Sequence, residues 1–299
     1  MTFDIIQMVI IVIILPAVFI FTLWRLKANS KLDWMLQALL TAALISWLFF
    51  GGNWSWLGYY IRYIWVILLI PAIYFSWKNN NALPFRKKLQ RRQKISTGIN
   101  ILILLVFAMY NVFVFSSLFT KDEAIELSSP LKDGTYYVAH GGSNTLMNYH
   151  HAYEPQQYAM DILKLNGFGT RARGLHPKQL DKYEIYGDTI YSPCNGEVLE
   201  AKNDLPDQIP PETNPEQPEG NHVTLACENI DAIILLAHMQ ENSVTVDKGD
   251  SVKEGQQIGL VGNSGNTSEP HLHIHAEKNG IGIPIQFDGK FLVRNNLVR

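Results

Sequence analysis

A chain of 299 residues with net charge −2 has room for two domains, and its 47% hydrophobic content is ordinary until the charges are placed along it. Residues 1–120 carry 11 Lys and Arg against two acids, net +9; residues 121–299 carry 14 against 25, net −11, and hold all nine histidines. The acidic half excludes nucleic acid as its partner, because a polyanion needs a basic face. The division reads as a membrane domain over 1–120 joined to a soluble domain over 121–299.

Four apolar runs fill the first part, at 5–24, 35–51, 56–77 and 98–119. A helix needs about 20 apolar residues to cross the hydrocarbon core, so each reads as a transmembrane helix, 35–51 being the shortest. No Lys or Arg precedes the first run, so it does not resemble a cleaved signal peptide. Arg62 lies near the outer end of its span, from which it would snorkel to the interface. Trp54, Trp56, Tyr59 and Tyr60 read as an interfacial aromatic belt. Asn111 reads equally as a helix–helix contact or a tolerated polar residue.

Basic residues give the orientation. Arg25, Lys27 and Lys31 follow the first span, and Lys78, Arg86, Lys87, Lys88, Arg91, Arg92 and Lys94 fill the loop between the third and fourth. Gly52–Ser55, between the second and third, has none. The positive-inside rule puts both basic loops in the cytoplasm, so everything after Phe119 is extracytoplasmic.

From Gly134 onward, short apolar runs alternate with Gly, Pro, Asn and Asp. Strands are expected at 189–201, 221–227, 232–239, 257–261, 271–276 and 282–287, with a short helix at 175–183. Residues 204–220 hold five prolines and several acids, a composition that forbids a strand and reads as a surface loop. Cys194 and Cys227, 33 residues apart, are the only cysteines. Either a disulfide or two buried free thiols fits them, and free thiols are the expected state. The fold class that follows is a four-span α-helical membrane bundle followed by a mostly antiparallel β domain.

Pro270-His271-Leu272-His273-Ile274-His275-Ala276 is the most informative segment. Strand alternation puts the three histidines on one face and Leu272, Ile274 and Ala276 on the other. Histidines at i and i+2 on one face can reach one metal or its bound water.

This segment, with Gly249, Gly255, Gly259, Gly262 and Gly265 ahead of it, closely resembles the lysostaphin/LytM-type zinc endopeptidases. Ser192-Pro193-Cys194-Asn195-Gly196 and Ala237-His238 extend the resemblance, which covers roughly residues 135–290. It implies Zn2+ as cofactor, His273 and Asp161 as ligands, and His238 and His271 as catalytic residues beside the open metal position. One position departs from the pattern: the family's histidine four residues before the aspartate is Gln157 here, a poor zinc ligand. His150, in Asn148-Tyr149-His150-His151, is the expected replacement, with His151 as the alternative and Gln157 in a supporting role. His275 is expected beside the ligands, and His140, His176 and His222 to be structural.

The resemblance implies a multi-pass membrane enzyme that hydrolyses peptide stems or cross-bridges of peptidoglycan, its partners being that polymer and the lipid bilayer. Two other readings stay open, the first supported by Gln157. One is an inactive domain that binds wall peptides or activates another hydrolase. The other is a sensor whose helices transmit a wall signal.

Overall fold

In the computed structural model, which describes residues 2–298, four helices are long and apolar enough to cross a membrane: Ile5–Trp24, Lys31–Gly51, Ile61–Asn80 and Arg91–Ser116. Their boundaries have local causes. The first helix widens into a π turn at Ile10–Ile14 just before Pro16, where the ring disrupts regular helical bonding. The second begins four residues earlier than its apolar run, because Ser30 caps it: the Ser30 hydroxyl accepts from the Asp33 amide at 3.3 Å. The third starts at Ile61 rather than Trp56.

Polar groups among these helices are turned inward. Asn111 donates to the Ala43 carbonyl at 2.8 Å, tying the fourth helix to the second. Arg62 does not snorkel. It is buried, with its guanidinium 4.6 Å from the Phe49 ring centre and Nη2 donating to the Tyr63 hydroxyl at 3.0 Å.

The chain divides into two compact units: Met1–Gly52 with Tyr60–Phe115, and Asn53–Tyr59 with Ser116–Arg299. The short loop between the second and third helices thus belongs to the second unit. Trp54 and Tyr59 are buried there, and the Tyr59 ring packs with Tyr137, Leu163 and Leu165. The aromatic-belt reading is therefore corrected for Tyr59, which packs in a core cluster of the β domain, and for Trp54, which is fully buried in the second unit.

Six strands carry that domain: β1 (Tyr136–His140), β2 (Met160–Lys164), β3 (Gly196–Lys202), β4 (Asn221–Cys227), β5 (Ile233–Met239) and β6 (Leu272–Lys278). They lie in the order β1-β2-β6-β5-β4-β3, every neighbouring pair antiparallel, with short strands at Leu297–Val298 and Ser251–Val252 on the two edges. β4 alternates buried and half-buried residues along its length, as its sequence predicts. β1 and β2 show no such alternation, because Tyr136, Tyr137 and Val138, and Met160 through Leu163, are buried on both faces. The helix expected at 175–183 is only a 3₁₀ turn, Leu180–Lys182. Residues 204–220 form neither strand nor helix.

Cys194 and Cys227 form a disulfide with a Cα–Cα separation of 5.8 Å, which corrects the expectation of free thiols. The cause is register: Gly196 on β3 pairs with Cys227 on β4, bringing Cys194 alongside. Gly196 permits that approach, since a Cβ there would sit 2.2 Å from the Ala226 carbonyl oxygen.

Candidate metal centre

β6 lies between β2 and β5, and this placement assembles the site. In the ladder His273 faces Asp161 on one side and Ala237 on the other. Leu272, Ile274 and Ala276 point into the hydrophobic core, so His273 and His275 take the opposite face, as alternation requires. His271 stands one residue before the strand, on the same side of the sheet.

Asp161 is the focus. His273 Nδ1 lies 2.9 Å from Asp161 Oδ1, and His150 Nε2 lies 3.0 Å from both carboxylate oxygens. One donor atom from each of the three lies within 4.8 Å of the others, and all three residues are buried. His275 Nδ1 is 3.0 Å from His273 Nε2, which fixes the orientation of the His273 ring.

His150 reaches the cluster through a turn rather than a strand. The Asn148 side chain caps the 3₁₀ turn Tyr149–Ala152, accepting from the His150 amide at 3.2 Å. The same side chain donates to the carbonyl of Ala159, two residues before Asp161, at 2.9 Å. Tyr149 lies against the His150 ring, centroids 4.0 Å apart. His151 turns away, its Nδ1 2.9 Å from the Gln157 carbonyl. Gln157 itself donates its side-chain amide to the Gly282 carbonyl at 3.1 Å. It therefore supports the backbone of the turn and does not face the carboxylate.

His238 and His271 flank the cluster, their rings 4.8 Å apart, with His238 5.7 Å from the His273 ring. His238 sits in the left-handed backbone region at φ 63°, on a strand whose register with β4 shifts nearby. That conformation is costly for a residue with a Cβ, and here it re-aims an imidazole at the end of a strand. Its Nδ1 bonds the Ser264 carbonyl at 2.9 Å, and His271 Nδ1 bonds the Glu269 carbonyl at 2.9 Å. A carbonyl only accepts, so each Nδ1 carries the proton and each Nε2 is left as the basic nitrogen. His271 Nε2 stands 3.5 Å from Asp161. Gly262 lets its segment approach the chain just past β5: a Cβ there would lie 2.3 Å from Gln240 Cα.

Burial opposes charge throughout the site. It pushes the Asp161 carboxyl up, but His150 and His271 outweigh it and hold the group well below the usual carboxylate range. Burial, reinforced by His271 and His273, holds His238 well below the usual imidazole value. Burial also lowers His271, yet Asp161 more than compensates and leaves it raised. His273 is lowered by burial, and His275 falls to about 3 for the same reason.

Two cavities open on the cluster. One, about 130 Å³, is lined by Tyr149, His150, Glu219, His238, Asn266 and His273 among others. The second, about 260 Å³, includes Asn53, His140, Tyr149, Asp161, Glu269 and His271. Tyr149 faces both, and its adjacency to His150 is the only signal for it in the sequence. His140, expected to be structural, pairs with Asp161 in the β1–β2 register, and Arg294 lies 3.2 Å from its Nδ1. Burial lowers it to about 3. His176 packs on Trp56, and His222 Nδ1 bonds the Gly220 carbonyl, both outside the cluster.

Residues 180–284, which lie within the β domain, match the model of peptidase family M23. The matched residues include His238, His271 and His273 and stop short of His150 and Asp161. Among solved structures, a zinc-containing peptidase from Vibrio cholerae is 17% identical over 54% of this chain and 39% of that one, with a TM-score of 0.33. The catalytic domain of lysostaphin from Staphylococcus simulans is 21% identical over 48% of this chain and 77% of its own, with a TM-score of 0.27. The SpoIIQ–SpoIIIAH pore-forming complex gives 15% identity over 54% and 89%, with a TM-score of 0.34. The chain spans only 39% of the Vibrio cholerae protein and 50% of an M23 peptidase from Pseudomonas aeruginosa.

Proposed function

We propose that the chain is a membrane-anchored zinc endopeptidase that hydrolyses peptide bonds in peptidoglycan stems or cross-bridges, with residues 121–299 outside the cytoplasm. The observation that carries this reading is the convergence of His150 Nε2, Asp161 and His273 Nδ1, with the Nε2 atoms of His238 and His271 left basic beside them.

The donor set fits zinc. Two imidazoles and one carboxylate are a catalytic zinc set, with a fourth position open for reaction. Tetrahedral bonds of about 2.0–2.1 Å place ligand atoms about 3.3 Å apart, close to the 2.9–3.0 Å seen between these donors. His150, Asp161 and His273 would hold the ion, which when bound polarises a carbonyl and activates water.

The rest of the chemistry falls to the protein. His238 and His271 flank the three donors, their rings 4.8 Å apart and each held by a backbone carbonyl, and would serve a bound water as proton-transfer groups. One nitrogen takes the proton of the attacking water, and the other steadies the negative charge on the carbonyl oxygen. The proton then passes to the leaving amine as the C–N bond breaks. Tyr149 and Asn266 form walls of the groove in which a peptide would lie.

The test is metal analysis of the full chain in detergent, with digestion of purified peptidoglycan. The expected result is stoichiometric zinc and new peptide termini by mass spectrometry. Wall binding without zinc or cleavage would establish the inactive reading instead. A reporter fused after the last residue should be active only outside the cytoplasm, given the seven basic residues from Lys78 to Lys94 at the junction of the third and fourth helices.

A further inference from the structure

The loop Asn53–Tyr59 joins two candidate membrane helices and yet is built into the β domain. The Arg171 amide donates to the Ser55 carbonyl at 3.0 Å, and the Tyr59 amide to the Gly169 carbonyl at 2.8 Å, so the loop is fastened on both sides of Trp56. The Arg171 side chain, 1% exposed, lies over the Trp56 ring at 3.8 Å. It meets Glu269 through Nε, 2.8 Å from both carboxylate oxygens, and through Nη2 at 2.6 Å. Nη2 also reaches the Leu175 carbonyl at 3.2 Å.

Glu269 is the link to the chemistry. Its backbone carbonyl accepts from His271 Nδ1 at 2.9 Å and from the Thr267 hydroxyl at 2.8 Å. The orientation of the His271 ring therefore depends on where residue 269 is held. Its side chain is held by a guanidinium that is itself capped by Trp56. A buried guanidinium is tolerable only with a matched carboxylate and a covered face, so these contacts form or fail together.

We propose that the Asn53–Tyr59 loop is a positioning element of the site, acting through Trp56, Arg171 and Glu269 to aim His271. The site is then complete only when this loop is present, and residues 121–299 alone lack it. Asn53 lines the cavity that contains Asp161 and His271, so the loop is also one wall of the groove. This inference rests on the peptidase reading for its catalytic consequence, and on the contacts alone for its structural one.

The test uses the full chain in detergent with three variants. Trp56→Ala removes the ring, Trp56→Leu keeps apolar volume without a π face, and Trp56→Phe keeps the face. Both Trp56→Ala and Trp56→Leu should lower kcat on a cross-bridge peptide by on the order of tenfold, since small misplacements of a catalytic group are costly. KM should stay within about twofold and zinc content should be unchanged. Trp56→Phe should restore kcat. Amide hydrogen exchange at residues 266–271 should quicken in the first two variants and not in the third. Unchanged kcat, with faster exchange confined to 53–59 and 169–176, would overturn the proposal. If wild type shows no turnover, the peptidase reading falls, while the exchange comparison still decides whether the loop holds the His271 turn.

Discussion

Two segments deliver the histidines around Asp161, and they do so by different physics. His273 arrives on a strand: its neighbours Leu272 and Ile274 are fully buried, and a one-residue slip would expose them while turning the imidazole into the core. His150 arrives on a 3₁₀ turn held by the Asn148 side chain. The strand makes side-chain direction a matter of parity. The turn makes it a matter of a few polar bonds, in which adjacent residues point to unrelated places. His150 and His151 show this, one bonding Asp161 and the other the Gln157 carbonyl.

The largest effects should come from the strand side and its partner. His273→Ala and Asp161→Ala should lose zinc and all measurable cleavage, checked by metal analysis and peptidoglycan digestion. Zinc retained by either would mean that the donor set is wrong. Next come His238→Ala and His271→Ala, which should keep zinc and lose roughly 10²–10⁴-fold in kcat, the usual share of a general acid–base group. A His271→Ala protein without metal would reverse the roles of His271 and His273. The smallest effect belongs to the turn's support. Gln157→Ala removes one hydrogen bond to Gly282 and should cost about 1 kcal/mol of stability by denaturant titration. Zinc should remain, because the side chain touches none of the three donors. Loss of zinc in this variant would show that the turn cannot stand without that bond.

The same contrast separates what is legible in the sequence from what is not. Parity places the β6 histidines on one face because the period of a strand is two. Four candidate membrane helices are legible from length and hydropathy, though not where the second, third and fourth begin. The start of the second depends on the Ser30 cap rather than on apolar residues. Family resemblance points to Asp161 and His238, but nothing in the sequence announces the left-handed backbone at His238. His140 and Tyr149 give no sign of their place for a simple reason: their approach to Asp161 and His150 depends on strand pairing and on the stacking of a turn. The disulfide is hidden in β3–β4 register, 33 residues apart in sequence. Trp54, Trp56, Tyr59 and Tyr60 read as an interfacial belt because aromatic residues at the end of an apolar run look alike whether they face the membrane surface or protein.

The proposed zinc site hinges on His150 standing in for the histidine missing at position 157. The direct measurement is zinc stoichiometry of His150→Ala and His151→Ala in the full chain, at equal protein concentration and neutral pH. His150→Ala should be largely zinc-free, and His151→Ala should match wild type. Zinc retained by His150→Ala and lost by His151→Ala would contradict the arrangement described for this turn.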